Sequence, residues 1–229
     1  MKISLIIPVL NEENSIVKNI KTIENRILDP KNCEIIIIDG QSTDQTFNLI
    51  TANKNLKVYQ SEKGRGKQMN FGAQKAAGEI LYFLHIDSIP PLHFDHEILN
   101  AIKANHSVGC FKMKFNHKHW WLFLAGWFTQ FNLKYFRGGD QSLFITKELF
   151  NKTGGFKEEA QIFEDYYFIR KLYQEHSFHV IQKNIITSAR RYLDNGVFKL
   201  QYHFWMLYIK KWLGATDHTL KKYYSKNIK

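Results

Sequence analysis

Ile35-Ile36-Ile37-Ile38 runs directly into Asp39-Gly40-Gln41-Ser42-Thr43-Asp44. Four consecutive β-branched apolar residues suit a strand covered on both faces, which reads as a continuous apolar run and not as an alternation. The polar, glycine-bearing segment behind it marks the strand's end. Runs of the same form occur at 3–9, 56–60 and 80–86. Between the first two, Ile16, Ile20, Ile23 and Ile27 recur at helical spacing. Strand–helix–strand alternation predicts an α/β domain with a mostly parallel central sheet flanked by helices.

The second half is less regular. A strand is predicted at 107–115, then an aromatic helical segment near 119–136. Helices are predicted over 163–175, 197–213 and 217–225, the last with Asp217 as candidate N-cap. Pro90-Pro91 marks a break after the fourth strand, and no repeat or low-complexity linker divides the chain.

The 229 residues fit one large domain with a sizeable core. Apolar residues at 44% and charged residues at 23% are ordinary globular composition and argue against disorder. The formal net charge of +11 attracts polyanions, whether nucleic acid, anionic lipid headgroups or phosphate-bearing small molecules, without choosing among them. Cys33 and Cys110 lack metal-type spacing and adjoin apolar runs, so they read as small core residues in a reducing compartment. The apolar start, Ile3 to Pro8, is too short for a signal peptide and has no cleavage site. Trp120 to Leu133 falls short of the roughly 20 apolar residues a membrane span needs. The expected location is cytoplasmic.

In open α/β sheets, ligands bind outside the carboxyl ends of the strands. Three such ends here carry acids: Pro8-Val9-Leu10-Asn11-Glu12, Asp39 to Asp44, and His85-Ile86-Asp87-Ser88. A shared site is therefore predicted. Asp39 suits a bond to a ribose or base edge, although an ordinary turn or cap uses the same residue types. Glu62 to Asn70 packs Lys63, Arg65 and Lys67 with two glycines ahead of a helix, which suits an anion but is not a Walker loop. A divalent ion bridging a diphosphate needs only one or two protein carboxylates, a job for Asp87. His85 either joins it or is a hydrogen-bonded structural residue. Glu164-Asp165 at a helix start is the candidate acid/base pair, and also the usual place for dipole compensation. Asp140 and Gln141 sit in a glycine loop or tight turn. Arg190-Arg191, after a strand-like run, suit phosphate or solvent.

Taken in order, these segments resemble the family 2 glycosyltransferases of the GT-A fold, with its Rossmann-like sheet. The matching residues are Ile6 to Glu12, Ile38 to Asp44, Arg65-Gly66-Lys67-Gln68-Met69-Asn70 with Gly72-Ala73, Leu84 to Ser88, and Gly154-Gly155-Phe156 ahead of Glu164-Asp165. Gly139-Asp140-Gln141, Ser188-Ala189-Arg190-Arg191-Tyr192 and Trp212-Leu213-Gly214-Ala215 are similar to a bacterial branch of radical-SAM/selenodomain-associated transferases.

The resemblance implies a nucleotide-sugar donor and an inverting transfer assisted by Mn²⁺ or Mg²⁺. It implies a nucleotide pocket lined by Pro8, Asn11, Glu12, Asp39, Lys67 and Asn70, with Arg190 and Arg191 near the diphosphate. Asp87, with His85 where many members carry Asp, takes the metal position. Asp165, beside Glu164, takes that of the general base. Asp140 and Gln141 form an acceptor or donor-sugar loop. The chain then divides into a nucleotide half at 1–105, an acceptor and catalytic half at 106–195, and C-terminal helices at 196–229. His85 and the run Asp39-Gly40-Gln41-Ser42 depart from the common pattern. The Gln-x-x-Arg-Trp motif of processive synthases is absent.

Rival readings remain. A sugar-1-phosphate nucleotidyltransferase would carry a phosphate loop where Val9-Leu10-Asn11-Glu12 stand. A non-catalytic basic protein binding nucleic acid or membrane would fit the charge, but no nucleic-acid motif appears, so nucleic acid is not an expected partner. The aromatic stretch Trp120 to Phe131, flanked by Lys118 and Lys134, suits an interface-lying helix beside a lipid-linked acceptor. Core packing or a homodimer contact would use the same rings.

Overall fold

The computed structural model describes residues 1–160 and 162–228. Its first 105 residues contain β1 (Ile3–Val9), α1 (Ile16–Glu24), β2 (Cys33–Asp39), α2 (Thr46–Thr51), β3 (Leu56–Gln60), α3 (Arg65–Lys75), β4 (Ile80–Phe83), a short β5 (Ser88–Ile89) and α4 (Phe94–Lys103). Then follow β6 (Val108–Phe115), α5 (Trp120–Phe128), β7 (Leu143–Thr146), α6 (Lys147–Thr153), α7 (Glu164–Glu175) and β8 (His179–Thr187). The chain ends in α8 (Arg190–Asn195), α9 (Val197–Trp212) and α10 (Asp217–Asn227); Lys229 of the C-terminal extension lies outside the described residues.

Among the described residues, eight strands join one sheet in the order β3-β2-β1-β4-β7-β6-β8-β5. β1 pairs in parallel with β2 and β4, and β2 with β3, so four consecutive strands end along one edge. β7 and β5 run against their neighbours, and β6 and β8 pair in parallel. The buried runs split by parity, as side chains alternate across a strand. Ile3, Leu5, Ile7, Ile35 and Ile37 pack one face against Ile16, Ile20 and Ile23 of α1 and Phe94 and Ile98 of α4. Ile6, Ile36, Ile38 and Phe83 pack the other against Met69 of α3, Phe150 of α6, and Phe168 and Leu172 of α7. Cys33 and Cys110 are buried and unpaired, as the sequence predicts.

Three expected boundaries change. The strand predicted at 80–86 stops at Phe83, because Ser88 N donates to His85 O and closes a turn there. The helix predicted to Phe136 stops at Phe128. Thr129 Oγ1 donates to Gly126 O and accepts from Met113 N, which ties the chain to β6 where the next turn would form. The N-cap of α10 is Thr216, whose hydroxyl accepts from Thr219 N; Asp217 is the first helical residue.

α3 sits unusually close to the sheet because Gly72 faces it. A Cβ there would lie 2.4 Å from Ile6 Cγ2. Gly72→Ala gains about 1 kcal/mol of helix propensity, but overpacking costs about 1–3 kcal/mol. The net expectation is a loss of stability, seen as a melting temperature lower by several degrees. An unchanged or raised melting temperature would show that α3 can lift from the sheet at no cost.

Candidate active site

The carboxyl ends of β1 and β2 are stitched together before they reach any ligand. Asn11, at φ 53°, gives its amide to Ser42 Oγ at 2.9 Å, and its Oδ1 accepts from Thr43 N at 2.8 Å. Asp39 is wholly buried, and its carboxylate accepts from Ser42 N, Ser42 Oγ and Gln60 Nε2. Gln68 of α3 donates one amide to both Val9 O and Ile38 O, at 2.9 and 2.8 Å. These bonds satisfy buried backbone groups at strand ends, which would otherwise be costly. The edge is thereby rigid.

Beyond this edge opens a cleft of about 1230 Å³, larger than the roughly 300–1,000 Å³ typical of a site for one small molecule. Pro8, Glu12, Lys67, His85, Asp87, Asp140, Glu164, Asp165, Arg190 and Arg191 all line it, so ten of the residues singled out in the sequence share one cavity. Asp39, Asn11, Asn70 and Gln141 are not on its wall. Asp39 and Asn11 hold the turns just described. Asn70 clamps Phe156 through both its amide and carbonyl and donates to Glu158. Gln141 is buried, accepts from Arg137 Nη1 at 2.5 Å and donates to Phe136 O.

A cluster of alternating charge forms the cleft's inner wall. Arg65 Nη1, at the start of α3, lies 3.1 Å from Glu164 Oε1 and 3.8 Å from Asp165 Oδ2, at the start of α7. His85 Nδ1 lies 3.3 Å from Asp140 Oδ1. Burial and the neighbouring Glu164 carboxylate push the Asp165 carboxyl up to about 6, against the pull of His85 and Arg65. Asp140 has a side chain 56% exposed; the desolvation its place in the cleft still imposes is outweighed by the hydrogen bond and charge of His85, with Arg191 and Arg65 helping, and the carboxyl falls to about 2. His85 is raised from its ordinary value; burial and Arg65 oppose its charge, but Asp140 and Asp165 prevail. Two carboxylates in one cleft are thus driven apart in acidity, the pattern that assigns distinct proton-transfer roles.

Sequence reasoning missed three residues that build this wall. Arg65 appeared there only inside a motif, and Gly139 only inside a loop. A Cβ on Gly139 would stand 2.0 Å from Asp165 Oδ2 and 3.0 Å from His85 Cε1, so only glycine lets the loop approach the cluster. Arg137, the lone arginine between Arg65 and Arg170, is buried and donates to Thr129 O, Phe131 O and Gln141 Oε1, fixing the loop that carries Gly139 and Asp140. Its isolation in a stretch without acids was the available signal.

Among the described residues no three His, Cys, Asp or Glu side chains gather closely enough to hold a cation alone. Asp87, however, is half-buried, faces the cleft and has no hydrogen-bond or ion-pair partner among the described residues. One free carboxylate suits an ion whose other positions are filled by diphosphate and water. Arg190 Nη2 lies 3.6 Å from Glu12 Oε1 across the cleft mouth.

A sheet of this order, with an acid-lined cleft at its carboxyl edge, defines an α/β transferase domain of the GT-A fold. The chain belongs to glycosyl transferase family 2, whose family model matches residues 4–163. It is 32% identical over 93 residues to the poly(ribitol-phosphate) β-N-acetylglucosaminyltransferase TarS of Staphylococcus aureus, a match covering 38% of this chain and 16% of that one. It is 33% identical over 99 residues to a dolichyl N-acetyl-α-D-glucosaminyl phosphate 3-β-D-2,3-diacetamido-2,3-dideoxy-β-D-glucuronosyltransferase of Methanococcus voltae, covering 40% of this chain and 31% of that one. The matches thus span less than a third of these relatives' own length. Among solved structures, S. aureus TarS 1–349 with UDP superposes with a TM-score of 0.68 at 21% identity, covering 82% of this chain and 60% of that one. A mannosyltransferase from Pyrobaculum calidifontis with GDP-Man and Mn²⁺ superposes with a TM-score of 0.65 at 19% identity, covering 90 and 60%. At these identities the likeness is one of fold.

The raised carboxyl of Asp165 has a consequence for stability. An unfolded Asp releases its proton near about 3.9, and the folded one near about 6. The folded state therefore binds more protons between those values, and stability falls as pH rises through that window. Asp165→Asn removes this penalty. It is expected to melt above wild type at pH 7.5, by the equivalent of about 1–3 kcal/mol, and level with it near pH 4. A variant melting below wild type at pH 7.5 would contradict the assignment.

Proposed function

We propose that this chain transfers a sugar from a nucleotide-sugar donor to an acceptor hydroxyl, with inversion at the anomeric carbon. The observation that carries the reading is Asp165: a carboxyl held near 6 that lines the same cleft as Glu12 and Asp87. A general base works best with an affinity close to the working pH.

In the proposed displacement the acceptor oxygen bonds to the anomeric carbon as its proton passes to Asp165. The bond from that carbon to the diphosphate oxygen breaks, and the electron pair leaves with the nucleoside diphosphate. Glu164 holds Arg65, and Arg65 in turn positions Asp165. Pro8, Glu12 and Lys67 line the donor side, and Arg190 and Arg191 face the charge that develops on the leaving group. The roles carried by resemblance for Asp39, Asn11, Asn70 and Gln141 become positioning roles, since their polar atoms hold the loops around the pocket. Asp87 would hold Mn²⁺ or Mg²⁺, with His85 Nε2 as the nitrogen left to join it. Such an ion, when bound, neutralises diphosphate charge.

The relatives named for poly(ribitol-phosphate) and dolichyl-phosphate-linked acceptors support an acceptor of the cell envelope, carried on lipid. Peripheral residence on the inner face of the cytoplasmic membrane belongs to this reading; among the described residues no helix is long and apolar enough to cross a membrane. The radical-SAM/selenodomain-associated branch remains part of the proposal, resting on Gly139-Asp140-Gln141 and Arg190-Arg191. The division at residues 105 and 195 likewise stays a proposal.

Two experiments test the chemistry. Asp165→Asn is expected to lower turnover by about 10²–10⁴ while donor affinity stays, and wild-type turnover should rise with pH through about 6. Undiminished turnover would remove Asp165 from the reaction. In a thermal-shift panel of UDP-, GDP- and dTDP-sugars, one donor should stabilise the protein by roughly 2.7 kcal/mol at about 100 times its dissociation constant. Mn²⁺ should enhance that shift, and Asp87→Ala should abolish the enhancement. Equal enhancement in the variant would place the ion elsewhere.

A further inference from the structure

α9 is apolar on two opposite faces. With 3.6 residues per turn, Leu200 and Leu207 point one way and are buried, while Phe198, Trp205 and Trp212 point the other and are 57, 52 and 85% exposed. α5 repeats the pattern: Leu122 is buried, and Trp120 and Phe123 are 63 and 70% exposed. The two outer faces are one surface. The Trp120 and Phe198 rings lie 5.9 Å apart, those of Trp121 and Trp205 6.0 Å apart, and Trp121 Nε1 donates to Gln201 Oε1 at 3.3 Å. A helix that is apolar all round is stable when both sides are covered, and the fold covers only one. A contiguous exposed patch of this kind marks an interaction surface.

Charge selects its occupant. No Asp or Glu occurs between Glu97 and Asp140, the stretch that contains α5. Between Gly196 and Lys229, Asp217 is the one acid among seven lysines. Lys118, Lys199 and Lys222 are exposed on these segments. A second copy packed face to face would set like charges against each other. An anionic bilayer meets them with opposite charge, and Trp and Tyr rings suit the headgroup level. The inner face of the same helix lines the cleft with Phe204, Leu207 and Tyr208.

We infer that the outer α5–α9 face docks on an anionic bilayer and sets the cleft behind α9 at headgroup depth. This deepens the lipid-linked acceptor reading and rests on it only for what the cleft then receives.

Flotation of the full chain with vesicles tests the docking. Co-flotation is expected with phosphatidylcholine vesicles containing phosphatidylglycerol, weakened by salt, and not with phosphatidylcholine alone. Phe123→Ala with Trp212→Ala should lower partitioning at least about tenfold, and Lys199→Glu with Lys222→Glu should also lower it, with the donor-induced thermal shift intact in both. Absence of co-flotation with the anionic vesicles would overturn the inference, as would wild-type partitioning by the aromatic pair variant. Sedimentation showing a dimer that this variant dissolves would overturn it in favour of a second copy. Flotation that persists in a protein giving no donor shift would uphold docking while removing the transferase reading.

Discussion

Arg65 holds Glu164 and Asp165 at 3.1 and 3.8 Å, and most of the site's organisation depends on that contact. Three carboxylates, those of Asp140, Glu164 and Asp165, crowd one wall of a cleft. Like charges so close in a partly desolvated place repel strongly. Interleaving them with Arg65 and His85 makes the cluster tolerable without making it neutral, and burial together with the residual repulsion from Glu164 raises the carboxyl of Asp165. The contact is also mechanical. It joins the start of α3, which lies against β1 and β2 through Gly72, to the start of α7 in the second half of the chain. One guanidinium therefore fixes the start of α3 against the start of α7. The loop carrying Gly139 can close on them because no Cβ intervenes.

Much of the fold was legible in the sequence, for a specific reason. β1, β2 and β4 are parallel and covered on both faces, so Ile35 to Ile38 and their counterparts appear as unbroken apolar runs, while β3 at the sheet's edge alternates. β5 and β7 are short, antiparallel members that pair with strands distant in sequence, and nothing local distinguishes Ser88-Ile89 or Leu143 to Thr146 from loop. The site was legible in outline, because strand ends are where α/β sheets present polar groups. Its partition was not. Asp39 is the same residue type as the cleft-lining Asp87, and Asn11 and Asn70 are polar residues of the same segments as the cleft-lining Glu12 and Lys67. Their polar atoms instead satisfy turns and backbone groups, which only coordinates reveal. Arg65 and Glu164 lie on different elements far apart in the chain, so no spacing rule could pair them.

The aromatic segments show the same limit in another form. Composition marks 120–131 and 198–212 as rich in rings, and periodicity places them on helices. Whether such rings pack inward or outward depends on what lies beside each face. Leu122, Leu200 and Leu207 are buried in small clusters with Phe115, Ala189 and Leu220, while the larger rings on the opposite side find one another and solvent. The aliphatic residues make the core of this appendage, and the tryptophans do not. That inverts the usual expectation that the largest apolar side chains are the most buried.

The position of α9 gives this inversion a structural meaning. A sheet edge alone offers a floor for a nucleotide but no roof, and a cleft open to water weakens every charge interaction inside it. Here the roof is made by α8, α9 and α10, whose residues Tyr192, Phe204, Leu207, Tyr208 and Tyr224 line the cleft opposite the strand ends. The appendage touches the wall that carries Asp165 directly: the Phe163 ring, one residue before Glu164, lies tilted with its centroid 5.2 Å from that of Tyr208, and Lys211 Nζ lies 3.6 Å above the Tyr167 ring. α9 therefore closes the cleft with Phe204, Leu207 and Tyr208 while Phe198, Trp205 and Trp212 on its other side stay in solvent.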